Sequence, residues 1–135
     1  LKKFKKDNKI NNVTFYGKVS KNRIYKEYIN SDALFLSLVQ DKFLNYTIPA
    51  KLQSYFSIGK PIIASASGET KKIILDSKAG FCSPPEKDIL LYKNILKLVN
   101  LNKNNLKTLE NNSKKYFSKN FSNEIITNLF KKILI

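Results

Sequence analysis

Two apolar runs constrain this chain more than any other feature. Ala33-Leu34-Phe35-Leu36-Ser37-Leu38-Val39 is apolar almost throughout instead of alternating with polar residues, and Pro61-Ile62-Ile63-Ala64-Ser65 repeats the pattern. A strand of that kind is buried on both faces, which marks a parallel sheet covered by helices on either side. The stretch between the runs supplies one such helix. Pro49 to Ile58 puts Leu52, Tyr55 and Phe56 on one helical face, with Pro49 in the first turn and Gly59 where a C-terminal glycine belongs.

The same alternation extends in both directions. Val13-Thr14-Phe15-Tyr16-Gly17 is β-branched and aromatic, follows the turn-forming Asn11-Asn12 and ends at a glycine, so it reads as a strand. Within Asn22 to Asn30, Ile24, Tyr28 and Ile29 repeat at helical spacing until Ser31-Asp32 breaks the pattern. Gly68 opens a turn into a helix over Glu69 to Ser77, with Ile73, Ile74 and Leu75 facing inward. Ala79 to Ser83 is a short strand stopped by Pro84-Pro85. From Asp88 the pattern is helical: Asp88 to Val99, roughly Leu101 to Phe117, and Asn123 to Leu134 with Ser122 as N-cap. Residues 1–135 therefore read as a single α/β domain, a doubly wound parallel sheet of about four strands with C-terminal helices. Ligands of such sheets bind outside the carboxyl ends of the strands, which directs attention to the loops Gly17 to Asn22, Gln40 to Thr47 and Ser65 to Glu69.

Composition narrows the chemistry. With 42% hydrophobic and 12% aromatic residues the chain is globular in character despite a formal charge of +15. It has no histidine, which excludes within it Ser-His-Asp and Cys-His nucleophile systems, His-ligated zinc and a histidine general base. The lone Cys82 forms no internal disulfide and reads as a small apolar residue in a reducing, cytoplasmic setting. Lysine supplies the charge, Arg23 being the one arginine, and the lysines are scattered singly and in pairs. A nucleic-acid surface would gather Arg and Lys on one helix or stripe, so no nucleic-acid partner is expected. A basic surface does favour an anionic leaflet, at about 1 kcal/mol per lysine near the surface, which keeps peripheral contact with the inner face of the cytoplasmic membrane open. No apolar run approaches the roughly 18 residues of a membrane span. The chain lacks methionine and opens in mid-helix style at Leu1-Lys2-Lys3-Phe4-Lys5-Lys6, the expectation being a piece of a longer protein.

The run Ile48-Pro49-Ala50-Lys51-Leu52-Gln53-Ser54-Tyr55-Phe56-Ser57-Ile58-Gly59-Lys60-Pro61-Ile62-Ile63-Ala64-Ser65, followed by Ser67-Gly68-Glu69, resembles the C-terminal nucleotide-sugar domain of GT-B glycosyltransferases of the family 4 type. More narrowly it resembles the bacterial O-antigen and capsule branch that transfers N-acetylated amino sugars. Asn12 to Gly17, Ser31 to Leu38, and Ala79-Gly80-Phe81 ahead of Pro84-Pro85 agree in order and spacing, so the resemblance covers nearly the whole chain. It implies the Rossmann-like, donor-binding half of a two-domain enzyme, without the preceding acceptor domain and the first βαβ unit. The implied reaction moves an N-acetylated amino sugar or deoxy sugar, with retention of configuration, from a UDP-sugar donor to a lipid-linked saccharide acceptor in lipopolysaccharide O-antigen or capsule biosynthesis. No cofactor and no bound metal are implied, and the chain alone is expected to be inactive. Ser54 stands where the second of the wider family's two donor-contacting glutamates would fall, and Tyr46 near the first, so no carboxylate role carries over and the catalytic residue is left unassigned. The alternatives are a non-catalytic α/β nucleotide-binding or regulatory module and, behind it, a basic nucleic-acid-binding domain.

A diphosphate requires backbone N–H groups at a helix start and a nearby cation. Thr47 to Lys51 supplies both, with Lys51 as a point charge, Ser54 one turn on and Tyr55 completing the Pro-x-Lys-x-x-x-Tyr motif; the plain alternative is that Lys51 is one more solvated lysine. Gly68 and Glu69 offer a flexible turn and a carboxylate able to accept from sugar hydroxyls, or equally an ordinary helix start. By the family's pattern, Gly17, Lys18 and Val19 present backbone to the nucleotide base. Asp41 and Asn45 are polar candidates in a loop that would be polar in any case. Finally, Ile125, Ile126, Leu129, Phe130, Ile133 and Leu134 form a broad apolar stripe on the last helix, from which self-association is expected where nothing covers it.

Overall fold

The computed structural model describes residues 1–134. Helix α1 (Lys2–Asp7) leads through an irregular segment to α2 (Lys21–Asn30), then β1 (Leu34–Ser37), a 3-10 turn (Leu44–Tyr46), α3 (Ala50–Ile58), β2 (Ile62–Ser65), α4 (Gly68–Ser77) and β3 (Gly80–Ser83). Three helices close the chain: α5 (Asp88–Val99), α6 (Lys103–Asn120) and α7 (Asn123–Leu134). The strands pair in parallel in the order β1-β2-β3, with Leu34, Ile62 and Gly80 in one row and Leu36, Ala64 and Cys82 in another. Those rows face a core that α3 and α4 complete with Leu52, Tyr55, Phe56, Ile73 and Ile74. The α/β class and the parallel sheet stand as read from the sequence.

Three expectations are corrected. The sheet has three strands among the described residues, because Val13–Gly17 forms none. Strand propensity expresses fit to a pleated, half-buried surface, and this segment finds no ladder partner and lies exposed. It is held instead by Lys5, whose Nζ donates to the Val13 carbonyl at 2.5 Å, and by the Arg23 guanidinium 5.1 Å over the Tyr16 ring. Second, β1 is buried on one face only: Leu34 and Leu36 point into the core, whereas Phe35 is 50% exposed and Ser37 also faces out. The reason is that α5 covers the opposite face over β2 and β3, with Lys97 Nζ 4.5 Å over the Phe81 ring, so only β2 is buried throughout. Third, Leu75 is half exposed while Ile73 and Ile74 are buried. Three consecutive helical residues span about 200° of the helix circumference, more than one packed face can take.

Local signals set the element ends. Ser20 caps α2 by accepting from the Arg23 N–H at 3.4 Å, and Gly59 ends α3 in the left-handed conformation, φ 76°. The expected helices after Asp88 are present, the middle one shifted to Lys103–Asn120 with Asn102 as its cap. α6 packs along α3, where Phe56 stacks on Tyr116 at 4.9 Å and Phe121 at 6.0 Å. On α7 the stripe of Ile126, Leu129, Phe130, Ile133 and Leu134 is exposed. Cys82 lies half-buried with its thiol 3.5 Å from the Ala66 carbonyl, and burial, the largest influence on it, pushes its pKa up.

Ser113 of α6 is fully buried and its hydroxyl has no partner among the described residues. An unmade hydrogen bond of this kind costs about 1–3 kcal/mol. Ser113→Ala should therefore leave stability unchanged or raise it by about 1 kcal/mol, read as a higher denaturant midpoint at constant slope. A clear loss of stability would mean that the hydroxyl is satisfied in solution.

Candidate donor-binding site

A parallel strand delivers the following loop to its carboxyl end, and the loops after β1 and β2 meet there. Asp41 shapes the first: its Oδ1 accepts from the N–H groups of Phe43 at 2.8 Å and Leu44 at 3.1 Å, initiating the 3-10 turn that carries Asn45. The side chain is thus committed to the loop's own backbone. Asn45 Oδ1 in turn accepts from the Ser67 hydroxyl at 2.5 Å, and Thr70, fully buried on α4, donates to the Thr47 carbonyl at 3.5 Å. These two bonds fasten the loop after β1 onto the start of α4. Gly68 is required at that seam, since a Cβ there would stand 2.1 Å from the Asn45 carbonyl oxygen, and its φ is +59°.

Two helix N-termini flank this seam with open backbone donors. Ser67 occupies the N-cap position of α4, but its side chain bonds Asn45 and makes no cap bond. Pro49 at the N-cap of α3 has no capping side chain either. There the Leu52 N–H reaches the Pro49 carbonyl at 2.9 Å, leaving the Ala50 and Lys51 N–H groups without a partner among the described residues. Lys51 is exposed on this first turn. Uncapped helix starts with a lysine beside them attract an anion.

The residues singled out in the sequence fall into three groups. Asn45, Thr47, Gly68 and Glu69 come together at the seam; Glu69 sits in the first turn of α4. Lys51 follows directly on α3. Gly17, Lys18 and Val19 lie in the loop entering α2, whose first residue, Lys21, lines the cleft that α2 forms with Ser54, Ser57 and Ile58 of α3. Ser54 and Tyr55 stand apart from the seam. The Ser54 hydroxyl donates back to the Ala50 carbonyl at 3.2 Å, and the side chain borders a cleft of about 220 Å³ between α2 and α3, with Lys21, Ile24, Tyr25 and Tyr28. Tyr55 is buried and donates to the Phe35 carbonyl at 2.9 Å. Sequence reasoning did not single out Thr70, for which the signal was a hydroxyl in the first turn of a helix after a candidate loop. Among the described residues no cluster of His, Cys, Asp and Glu is placed to hold a metal ion, and no helix is long and apolar enough to cross a membrane.

Residues 1–116 match the family described as Glycosyl transferases group 1. The chain belongs to that family. It is a glycosyltransferase domain of the GT-B type, and sugar transfer is the role its fold serves. The match takes in the seam, both open helix starts and the Gly17–Val19 loop, while α7 lies beyond it. Comparison with curated proteins and with solved structures gave no match.

Proposed function

We infer that this group 1 glycosyltransferase domain binds the donor, a UDP-sugar, with the diphosphate at the starts of α3 and α4. The observation that carries the reading is the loop running from β1 into the uncapped start of α3, fastened through Asn45 and Ser67 to the uncapped start of α4, with Lys51 on the first turn of α3. When the sugar leaves, negative charge builds on the diphosphate. Fixed N–H dipoles and the Lys51 ammonium stabilise that charge without reorganising, the general route by which a preorganised site lowers a barrier. Glu69 serves as acceptor for sugar hydroxyls, and Gly17 to Val19 offer backbone to the base.

On this reading the chain is the donor half of a larger enzyme that transfers an N-acetylated amino sugar or deoxy sugar to a lipid-linked saccharide in O-antigen or capsule synthesis at the cytoplasmic membrane face. Calorimetry with UDP tests the site. Lys51→Ala should weaken binding by roughly tenfold or more, the loss of a charge-assisted bond of about 1.5–3 kcal/mol. Undiminished affinity in that variant would place the diphosphate elsewhere.

A further inference from the structure

We propose that Tyr55 is a positioning residue for the donor diphosphate, tying the first turn of α3, and with it Lys51, to the middle of β1; the role rests on the donor-site reading above. The Leu34 N–H bonds the Pro61 carbonyl and the Leu38 N–H the Ser65 carbonyl, both at 2.9 Å. In a parallel ladder alternate residues face the partner strand, so the backbone of Phe35 points to the open edge of the sheet. The Tyr55 hydroxyl closes that edge carbonyl at 2.9 Å. It thereby fixes both the rotation of α3 and its height along β1. Lys51 stands one turn earlier on the same face of the helix, so a helix held at Tyr55 also sets where Lys51 and the open N–H groups of Ala50 and Lys51 stand.

Burial of α3 does not need this hydroxyl, because Leu52 and Phe56 already fill the core wholly buried. The Tyr28 ring meets the Tyr55 ring edge-on at 5.2 Å and 89°, which brings α2 into the same tie, next to the open cleft between the two helices. Burial, with Tyr28 adding to it, pushes the Tyr55 phenol well above its ordinary range. The hydroxyl therefore keeps its proton, and the bond persists, across the neutral range.

A double-mutant cycle with UDP, followed by calorimetry on the whole chain, tests the proposal. Tyr55→Phe should weaken binding about three- to tenfold and shift the ligand-free amide signals of Ala50 and Lys51. In the Lys51→Ala background the same substitution should lose most of its effect on affinity, because it acts through that residue. Leu98→Ala, which removes packing from α5 instead, should lower stability and leave affinity unchanged. Unaltered affinity in Tyr55→Phe, or a full effect persisting without Lys51, overturns the proposal alone. Absence of UDP binding by the unaltered chain overturns the donor-site reading and the proposal with it.

Discussion

Gly68→Ala should abolish most UDP binding while the chain remains folded. The added methyl would meet the Asn45 carbonyl oxygen at 2.1 Å, Cα at 2.4 Å and carbonyl carbon at 2.6 Å, all of them backbone, so no side chain can swing aside. The backbone at φ +59° adds about 1 kcal/mol or more for any residue with a Cβ. Either the loop after β1 retreats or the first turn of α4 unwinds, and both break the Ser67–Asn45 bond that holds the loop ahead of α3 to the start of α4. Affinity for UDP should fall by roughly a hundredfold, the loss of charge-assisted bonds worth about 1.5–3 kcal/mol. Ile73 and Ile74, further along α4, should keep the core intact. Gly17→Ala is the contrast: it meets nothing within 4 Å, so only backbone strain at φ +69° acts there. Wild-type affinity in Gly68→Ala would show that the seam is not part of the site.

Phe56→Ala is expected to cost the most stability. Its ring is wholly buried and stacks against Tyr116 and Phe121, which are themselves 5.7 Å apart. The ring is what fastens α6 to α3. Truncating a buried phenylalanine costs about 3–5 kcal/mol, a large part of the roughly 5–15 kcal/mol that holds a domain of this size together. Denaturant titration should show a much lower midpoint, with the Tyr116 environment changing alongside. A loss below about 1 kcal/mol would mean that α6 is held by something other than this cluster.

What the sequence made legible were features governed by neighbours along the chain. Pro49 and Gly59 bracket α3, Ser122 stands ahead of α7, and the run from Ile62 to Ser65 is buried on both faces. What it left hidden depends on partners far along the chain. Val13–Gly17 has strand composition and no strand to pair with, and the outward turn of Phe35 follows from where α5 lies. The site divides in the same way. Lys51 at a helix start was readable from Pro49 onward, whereas the bond from Ser67 back to Asn45, and the Tyr55 hydroxyl reaching Phe35, join residues about twenty positions apart. Tyr55 entered the candidate site on a motif, and the structure places its hydroxyl on β1.

Amide chemical-shift mapping during a UDP titration reads directly where the diphosphate lies. The shifts should cluster on Gly17 to Val19, Asn45 to Lys51 and Ser67 to Thr70, with Ala50 and Lys51 among the largest and uridine alone moving only the first group. Shifts concentrated on α5, α6 or α7, with the two helix starts unmoved, would place the diphosphate away from α3 and α4.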